Sequence, residues 1–376
     1  MRTYSMLLPA NGPLQAGAVE VVRRLQAAGF TAYWAGGCVR DLLLGRPPKD
    51  YDVATNALPE QVWQLFAGAV AVGKAFGVVR VPLAGQWYEV ATFRVDHGYT
   101  DGRHPDGVAF ADPETDARRR DFTINALFYD PATGTVLDFV GGHEDLRARV
   151  VRTVGDPVAR FEEDRLRMLR GVRFAAPPGF ALDPATLAAI RTLAASITTI
   201  SAERIREELT RLLVEAERAG DALRLLDAAG LLQPLLPEVA AMQAQAQPPE
   251  YHPEGDVFEH TVRMLNAMRA ADARLAWAVL LHDVGKPPTA QEVDGRLRFE
   301  KHAQVGAEIA GQILKRLRFA NDDIEAITHC VANHMRFLNV REMRRATLRR
   351  LVAAPTFPLE LELHRLDCIA SHGLLD

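Results

Sequence analysis

Strand and helix signals alternate in this chain up to about residue 145, and beyond about residue 150 the strand signals nearly vanish. Short β-rich runs (TAYWAG, KDYDVA, GVVRVPL, WYEVATFR and TVLDFV) are interleaved with VEVVRRLQAAG and PEQVWQLFAG, whose apolar residues recur at helical period. After them, RFEEDRLRMLRGVRFAA, PATLAAIRTLAASI, SAERIREELTRLLVEA and DALRLLDAAG are apolar at helical spacing, with Gly or Pro at their ends. The polar, Pro-rich stretch QAQAQPPEYHPEGD, residues 243–256, reads as a linker or domain edge. At 376 residues the chain is too long for one hydrophobic core. The expected fold is therefore α+β, in three parts. These are a small mixed-sheet head over residues 1–150, an all-α neck and body over 151–245, and a helical C-terminal domain over 250–376.

Within the head, GGCVRDLLLGRPPKDYDVAT runs from Gly36 to Thr55. Asp50 and Asp52 are two apart on an expected strand, and alternate strand residues point to one face. Two carboxylates held that close repel each other unless a cation sits between them. Oxygen ligands of this kind suit Mg²⁺, which takes one or two carboxylates plus substrate phosphates. The glycines upstream let a triphosphate approach the backbone where a helix begins. Physically, this is the pattern of a metal-assisted nucleotidyl-transfer site.

The net charge of −4 argues against a protein coated all over in positive charge, yet eight arginines lie between Arg147 and Arg173. They form either a nucleic-acid footprint or a solvated helix face paired with Glu162, Glu163 and Asp164. Cys38, Cys330 and Cys368 are odd in number and scattered, which does not suit a disulfide framework. The apolar run from Leu275 to Leu281 is far too short to span a bilayer. MRTYSMLLPANGPLQAG lacks signal-peptide architecture. A cytoplasmic protein with no membrane association is expected, and its oligomeric state is left open.

A second cluster reads RRDFTINAL, from Arg119 to Leu127. Its arginines suit triphosphate or RNA-backbone contacts, with Asp121 and Asn125 orienting them or meeting a ribose. Together with GGxVRD and DxD, this block resembles the class II tRNA nucleotidyltransferase and bacterial poly(A) polymerase family. Glu163-Asp164-Arg165-Leu166-Arg167, followed by Arg170 and Arg173, is similar to that family's base-selecting helix. The resemblance covers residues 31 to about 235. It implies that Asp50 and Asp52 hold Mg²⁺ with Glu89 as a third carboxylate, and that Gly36, Gly37, Arg40 and Arg120 contact the triphosphate. A metal there assists attack by the 3′-hydroxyl and departure of pyrophosphate.

Asp164 and Arg167, three apart on an expected helix, would share a face. A carboxylate accepts and a guanidinium donates. Cytosine and adenine both offer an amino donor beside a ring-nitrogen acceptor, whereas uracil and guanine present the reverse order. One Asp–Arg pair can therefore take CTP and ATP and refuse UTP and GTP without a template. The glycine-rich loop RVDHGYTDGRHPDGVAFAD, residues 94–112, corresponds to a loop that this family uses in switching from C to A. AVGKAFGVVRV lacks the arginine-rich stretch that marks bacterial poly(A) polymerases at this point.

Eight of the 11 histidines lie from residue 252 onward. His260, the pair His282-Asp283, His302, His334 and Asp367 follow the order of HD-type phosphohydrolases, with LLHDVGKP the most characteristic piece. Imidazole with carboxylate suits transition metals as well as Mg²⁺. His260, His282, Asp283 and Asp367 are the expected ligands, and His302 and His334 would serve a second ion or a phosphate. His329, His364 and His372 are not expected to belong to the site. The chain stops soon after Asp367, where relatives often continue with more helix, which leaves the grip on tRNA and the wall of the HD pocket open.

The resemblance implies an enzyme that adds C, A or both to the tRNA 3′ end from CTP and ATP. Its rivals are a poly(A) polymerase, and a metal-binding RNA-recognition protein with an idle head and HD phosphohydrolase activity.

Overall fold

The computed structural model describes residues 1–6, 12–73, 77–97, 107–247, 255–269 and 272–371. They divide into two compact units, Met1–Arg167 with Ala181–Ala189, and Met168–Phe180 with Ile190–Asp376.

The first unit is built on an eight-stranded mixed sheet. Its strands are β1 (Arg2–Ser5), β2 (Ala32–Ala35), β3 (Asp52–Thr55), β4 (Val70–Gly73), β5 (Val78–Leu83), β6 (Gln86–Thr92), β9 (Phe128–Asp130) and β10 (Thr135–Asp138). The spatial order is β1-β10-β9-β2-β3-β6-β5-β4. Every neighbouring pair is antiparallel except β3 with β6, which run parallel in mid-sheet. β7 (Arg94–His97) and β8 (Gly107–Phe110) form a separate antiparallel pair. They bracket the expected specificity loop, whose residues 98–106 lie outside the described residues.

Helices α1 (Gly12–Ala27), α2 (Gly37–Leu43), α3 (Pro59–Leu65), α4 (Pro113–Arg118), α5 (Gly142–Ala148) and α6 (Pro157–Glu163) complete this unit, and α7 (Leu166–Ala175) begins in it. Two starts were written in the sequence as Asp-Pro. Asp112 caps α4 by accepting from Thr115 N at 2.8 Å, and Asp156 caps α6 by accepting from Ala159 N at 2.8 Å. One core cluster joins Ala35, Ala54, Phe93, Ala117, Ala126, Phe128 and Val154. Phe93 meets Phe128 edge-on at 5.9 Å between ring centroids. That core underlies the segments carrying the site.

The second unit is mostly helical. It comprises α8 (Pro184–Leu193, which begins in the first unit), α9 (Ala202–Glu215), α10 (Ala219–Ala228), α11 (Leu232–Leu235), α12 (Pro237–Ala240), α13 (Val257–Ala267), α14 (Ala273–Leu281), α15 (Lys286–Thr289), α16 (His302–Arg316), α17 (Asn321–Asn333), α18 (Arg345–Val352) and α19 (Phe357–Ser371). A 3₁₀ stretch, His334–Glu342, follows α17. Among the described residues, strand beyond residue 150 is confined to two short pairs. β11 (Val150–Val151) pairs with β12 (Ala181–Leu182), and β13 (Ala290–Val293) pairs with β14 (Arg296–Phe299). The β13–β14 hairpin had a readable signal: Asp294 and Gly295, at φ 51° and 70°, are the Asp-Gly turn that joins two short strands.

Candidate active site in the head and a histidine cluster in the second unit

The parallel pair gathers the head's carboxylates. β3 and β6 are in register with Asp52 opposite Glu89, and neighbours across a ladder project from the same face roughly 5 Å apart. Asp50 departs from expectation in one respect: it precedes the strand, which begins at Asp52. Its charge still reaches the same place. Asp52 is open to solvent on one side, yet crowding by protein, then the charges of Asp50 and Glu89, push its carboxyl up to about 6 against the pull of Arg120. A carboxylate crowded by two others in this way fits a hard divalent cation.

A cradle of glycine and arginine lies beside them. Gly36, after β2, adopts φ 74° and ψ −126° before α2 begins. A Cβ there would lie 2.9 Å from Arg120 Nη1, so only glycine leaves that guanidinium in place. Gly37 opens α2, and its Cβ position is 3.8 Å from Arg40 Nη2. Arg40 Nη1 donates to Asn125 Oδ1 at 2.6 Å, and Asn125 Nδ2 donates to Asp121 Oδ1 at 3.2 Å. Arg120 Nη1 donates to the Asn125 carbonyl at 3.2 Å, and its guanidinium lies 5.1 Å over the Phe128 ring. The structure therefore brings Gly36, Gly37, Arg40, Arg120, Asp121 and Asn125 together.

Sequence reasoning missed Asp116, the buried carboxylate that aims this group. It accepts from Arg119 Nε at 2.8 Å and from Arg120 Nη2 at 3.0 Å. Burial raises the Asp116 carboxyl, but Arg120 and Arg119 outweigh it and leave the group below the usual range. The spacing was legible, since Asp116 stands three and four residues before these arginines at a helix end.

The expected base-selecting helix is broken. Asp164 lies in extended conformation between α6 and α7, and its Oδ1 accepts from Leu166 N at 3.0 Å. It thus caps α7 rather than sharing a helix face with Arg167. The Arg167 guanidinium binds Glu163 and donates to the Arg160 carbonyl at 3.1 Å. Arg173 is enclosed, donating to Glu208 at 2.7 Å, while Arg170 stands more open, 3.8 Å from the same carboxylate. The geometry makes Arg173 an anchor inside the second unit. Much of the arginine stripe is likewise answered internally: Arg152 reaches Asp145 and Asp183, and Arg160 pairs with Glu163.

In the second unit, two sets of metal-spaced ligands share one carboxylate: His260, His282 and Asp283, and Asp283, His302 and His334. His282, His302 and His334 each direct Nδ1 to a backbone carbonyl, of Val279, Phe299 and Val331, at 2.7–2.8 Å. A carbonyl only accepts, so these Nδ1 atoms carry protons, and Nε2 is the ring nitrogen left to face the cluster. Nε2 of His302 and Nε2 of His334 face each other at 3.2 Å. Nε2 of His282 is buried 3.1 Å from an Asp283 oxygen without a hydrogen bond. Facing lone pairs of this kind fit a cation. Burial lowers His302 and takes His334 down to about 4, despite the attraction of Asp283.

Asp283 itself is raised by burial and then pulled well below the carboxylate range by His282 and Lys286. His302 and His334 thus belong with the primary cluster, while Asp367 meets it through His260 Nε2 at 3.1 Å. Lys286, the lysine of LLHDVGKP, places its Nζ 2.7 Å from Asp283 and 2.6 Å from Gln247 Oε1. Gly285 of the same motif is enforced by packing, because a Cβ would collide with the His302 carbonyl. His329 pairs instead with Glu360 at 3.2 Å, His364 stacks on Phe337, and His372 lies outside the described residues.

Three family models match the chain: the poly A polymerase head domain over residues 32–152, the probable RNA and SrmB-binding site of polymerase A over 179–243, and the HD domain over 257–370. The CCA-adding enzyme of Geobacillus stearothermophilus is 40% identical over 304 residues, which cover 80% of this chain and 70% of that relative. The chain belongs to the family of CCA-adding enzymes and poly(A) polymerases. Poly(A) polymerase I of Escherichia coli O157:H7 is 44% identical over 233 residues, 59% of this chain and 50% of that protein. This member of the family thus spans about half the length of some curated relatives. The crystal structure of the Bacillus stearothermophilus CCA-adding enzyme in complex with CTP matches with a TM-score of 0.68 at 31% identity, over 95% of this chain and 82% of that one. The mixed-sheet head, the helical remainder and the C-terminal HD domain expected from sequence are borne out, as is a nucleotidyltransferase of this family.

Proposed function

We propose that this chain is a cytoplasmic, template-independent tRNA nucleotidyltransferase that adds C, A or both at the 3′ end from CTP and ATP. The observation that carries the reading is the register of Asp52 with Glu89 beside Asp50, next to the Gly36–Arg40–Arg120 cradle. Asp50, Asp52 and Glu89 would hold Mg²⁺, which supplies charge neutralisation on the triphosphate and at the attacking hydroxyl. Gly36 and Gly37 open the backbone to the phosphates. Arg40 and Arg120 offer them guanidinium donors, each braced by Asn125 and, for Arg40, through it by Asp121. The attacking 3′-oxygen bonds to the α-phosphorus as the bond to the bridging oxygen of pyrophosphate breaks.

The proposed division of labour runs along the chain: residues 1–150 carry the chemistry, 151–245 select the base and meet the RNA, and 250–376 form the HD domain. Base selection is assigned to Asp164 and Arg167, with Arg170 three residues further along the chain. The HD cluster is assigned a divalent ion, of transition-metal type by its imidazole content, and hydrolysis of phosphate esters.

Purified protein should incorporate CMP or AMP into tRNAs trimmed by one, two or three terminal nucleotides when CTP and ATP are supplied separately. Incorporation of neither would refute the reading. Long A-tails on unrelated RNA would favour the poly(A) polymerase, which the missing arginine-rich stretch in AVGKAFGVVRV disfavours.

A further inference from the structure

The stretch Arg341–Arg350 contains five arginines, at 341, 344, 345, 349 and 350, against one carboxylate, Glu342. All six side chains are exposed. Elsewhere, exposed arginines are commonly answered by an acid. Glu20 takes Arg23 and Arg24, Glu114 takes Arg118, Asp221 takes Arg218 and Arg224, and Asp323 takes Arg274. Among the described residues, Arg341, Arg344, Arg345 and Arg349 make no such pair, and Arg350 donates only to the Ala346 carbonyl at 3.4 Å.

The stretch is also ordered. Arg344 precedes α18, its carbonyl accepting from Thr347 N and Leu348 N at 2.9 and 3.0 Å, and Leu351 is the buried residue that pins the helix. Within α18, Arg345, Leu348, Arg349 and Val352 fall at i, i+3, i+4 and i+7, one solvent-facing stripe. Leu348 and Val352 are 37% and 52% exposed on it. In a chain of net charge −4, holding five like charges together without acids carries a repulsive cost that a polyanion would relieve.

We propose that α18 and the turn before it form a second RNA-binding surface, which grips the phosphate backbone of the tRNA. The guanidiniums bind backbone phosphates without reading sequence. The surface rests on the transferase reading for the identity of its RNA, but binding can be measured without turnover.

The test uses the full-length chain carrying Arg344→Ala, Arg345→Ala and Arg349→Ala together, and a matching triple Lys variant. Binding of fluorescent tRNA is followed by anisotropy from low to high salt, beside incorporation kinetics and a melting curve. The Ala variant should bind tRNA about tenfold or more weakly, with the slope of log K against log salt shallower by about 2 to 3 for three lost phosphate contacts. KM for tRNA should rise while KM for CTP stays put, and the Lys variant should keep most of the affinity. Unchanged tRNA binding would overturn the proposal. So would an equal loss in the Lys variant, or lost binding to phosphatidylserine vesicles with tRNA binding intact. A wild type that binds tRNA through these arginines but incorporates nothing would sink the transferase reading and leave the surface standing.

Discussion

The head's chemistry depends on a few residues whose partners are visible. Changing Asp52 to Ala should lower CMP and AMP incorporation by about 100-fold or more, since metal-borne charge stabilisation is worth several kcal/mol. Retained incorporation in a radiolabel assay would refute the metal assignment. Gly36→Ala places a methyl group against Arg120 in a backbone conformation that L-residues rarely adopt. KM for the nucleotide should rise roughly tenfold as Arg120 is displaced, on the scale of about 1.4 kcal/mol, and an unchanged KM would show the contact to be slack.

Asp116 gives a pH prediction. Its carboxyl is depressed in the fold, so the stability it contributes is complete above its unfolded value of about 4 and is lost as pH falls through the folded value. Asp116→Asn should cost about 3–5 kcal/mol at neutral pH by removing the buried carboxylate that Arg119 and Arg120 share. Its melting temperature should also fall less steeply than wild type's below about pH 4. Parallel acid-limb melting curves for the two proteins would contradict this assignment.

At the scale of elements, the junction of α6 and α7 separates two roles for Asp164. As a cap it predicts that Asp164→Ala lowers stability by about 1 kcal/mol. As a base selector it predicts, in addition, that UMP enters the tRNA end. Denaturant melts and four-nucleotide incorporation assays read the two effects independently, and a stability loss with discrimination intact would remove the base-selecting role.

How much was legible differs among elements. The strand runs and the Asp-Pro helix starts could be read because caps and periodicity are local. The α6–α7 break could not, since RFEEDRLRMLRGVRFAA keeps a helical apolar period through it. The β13–β14 hairpin was hidden by short strands, though its Asp-Gly turn was in view.

For the whole molecule, metal in the HD cluster should act as a stabilising ligand. Mn²⁺ at about 100 times its dissociation constant should add about 2.7 kcal/mol to the unfolding free energy of the unit that binds it. Removing it with a chelator should reverse the gain, and His282→Ala should abolish it. A melting profile indifferent to metal and chelator would contradict the cluster's assignment.

Sequence alone determined the order of parts and singled out the carboxylates of the head and the histidines of the HD domain as candidates, because motif spacing and periodicity are written along the chain. Tertiary structure decided which of those groups meet. Placing Glu89 opposite Asp52 needs a parallel pairing across 37 residues of chain (89 minus 52). The clustering of His302 and His334 around Asp283 needs helices packed together, and the turning of Arg173 inward needs Glu208 from α9. Those contacts arise from long-range packing and burial, which no local pattern encodes.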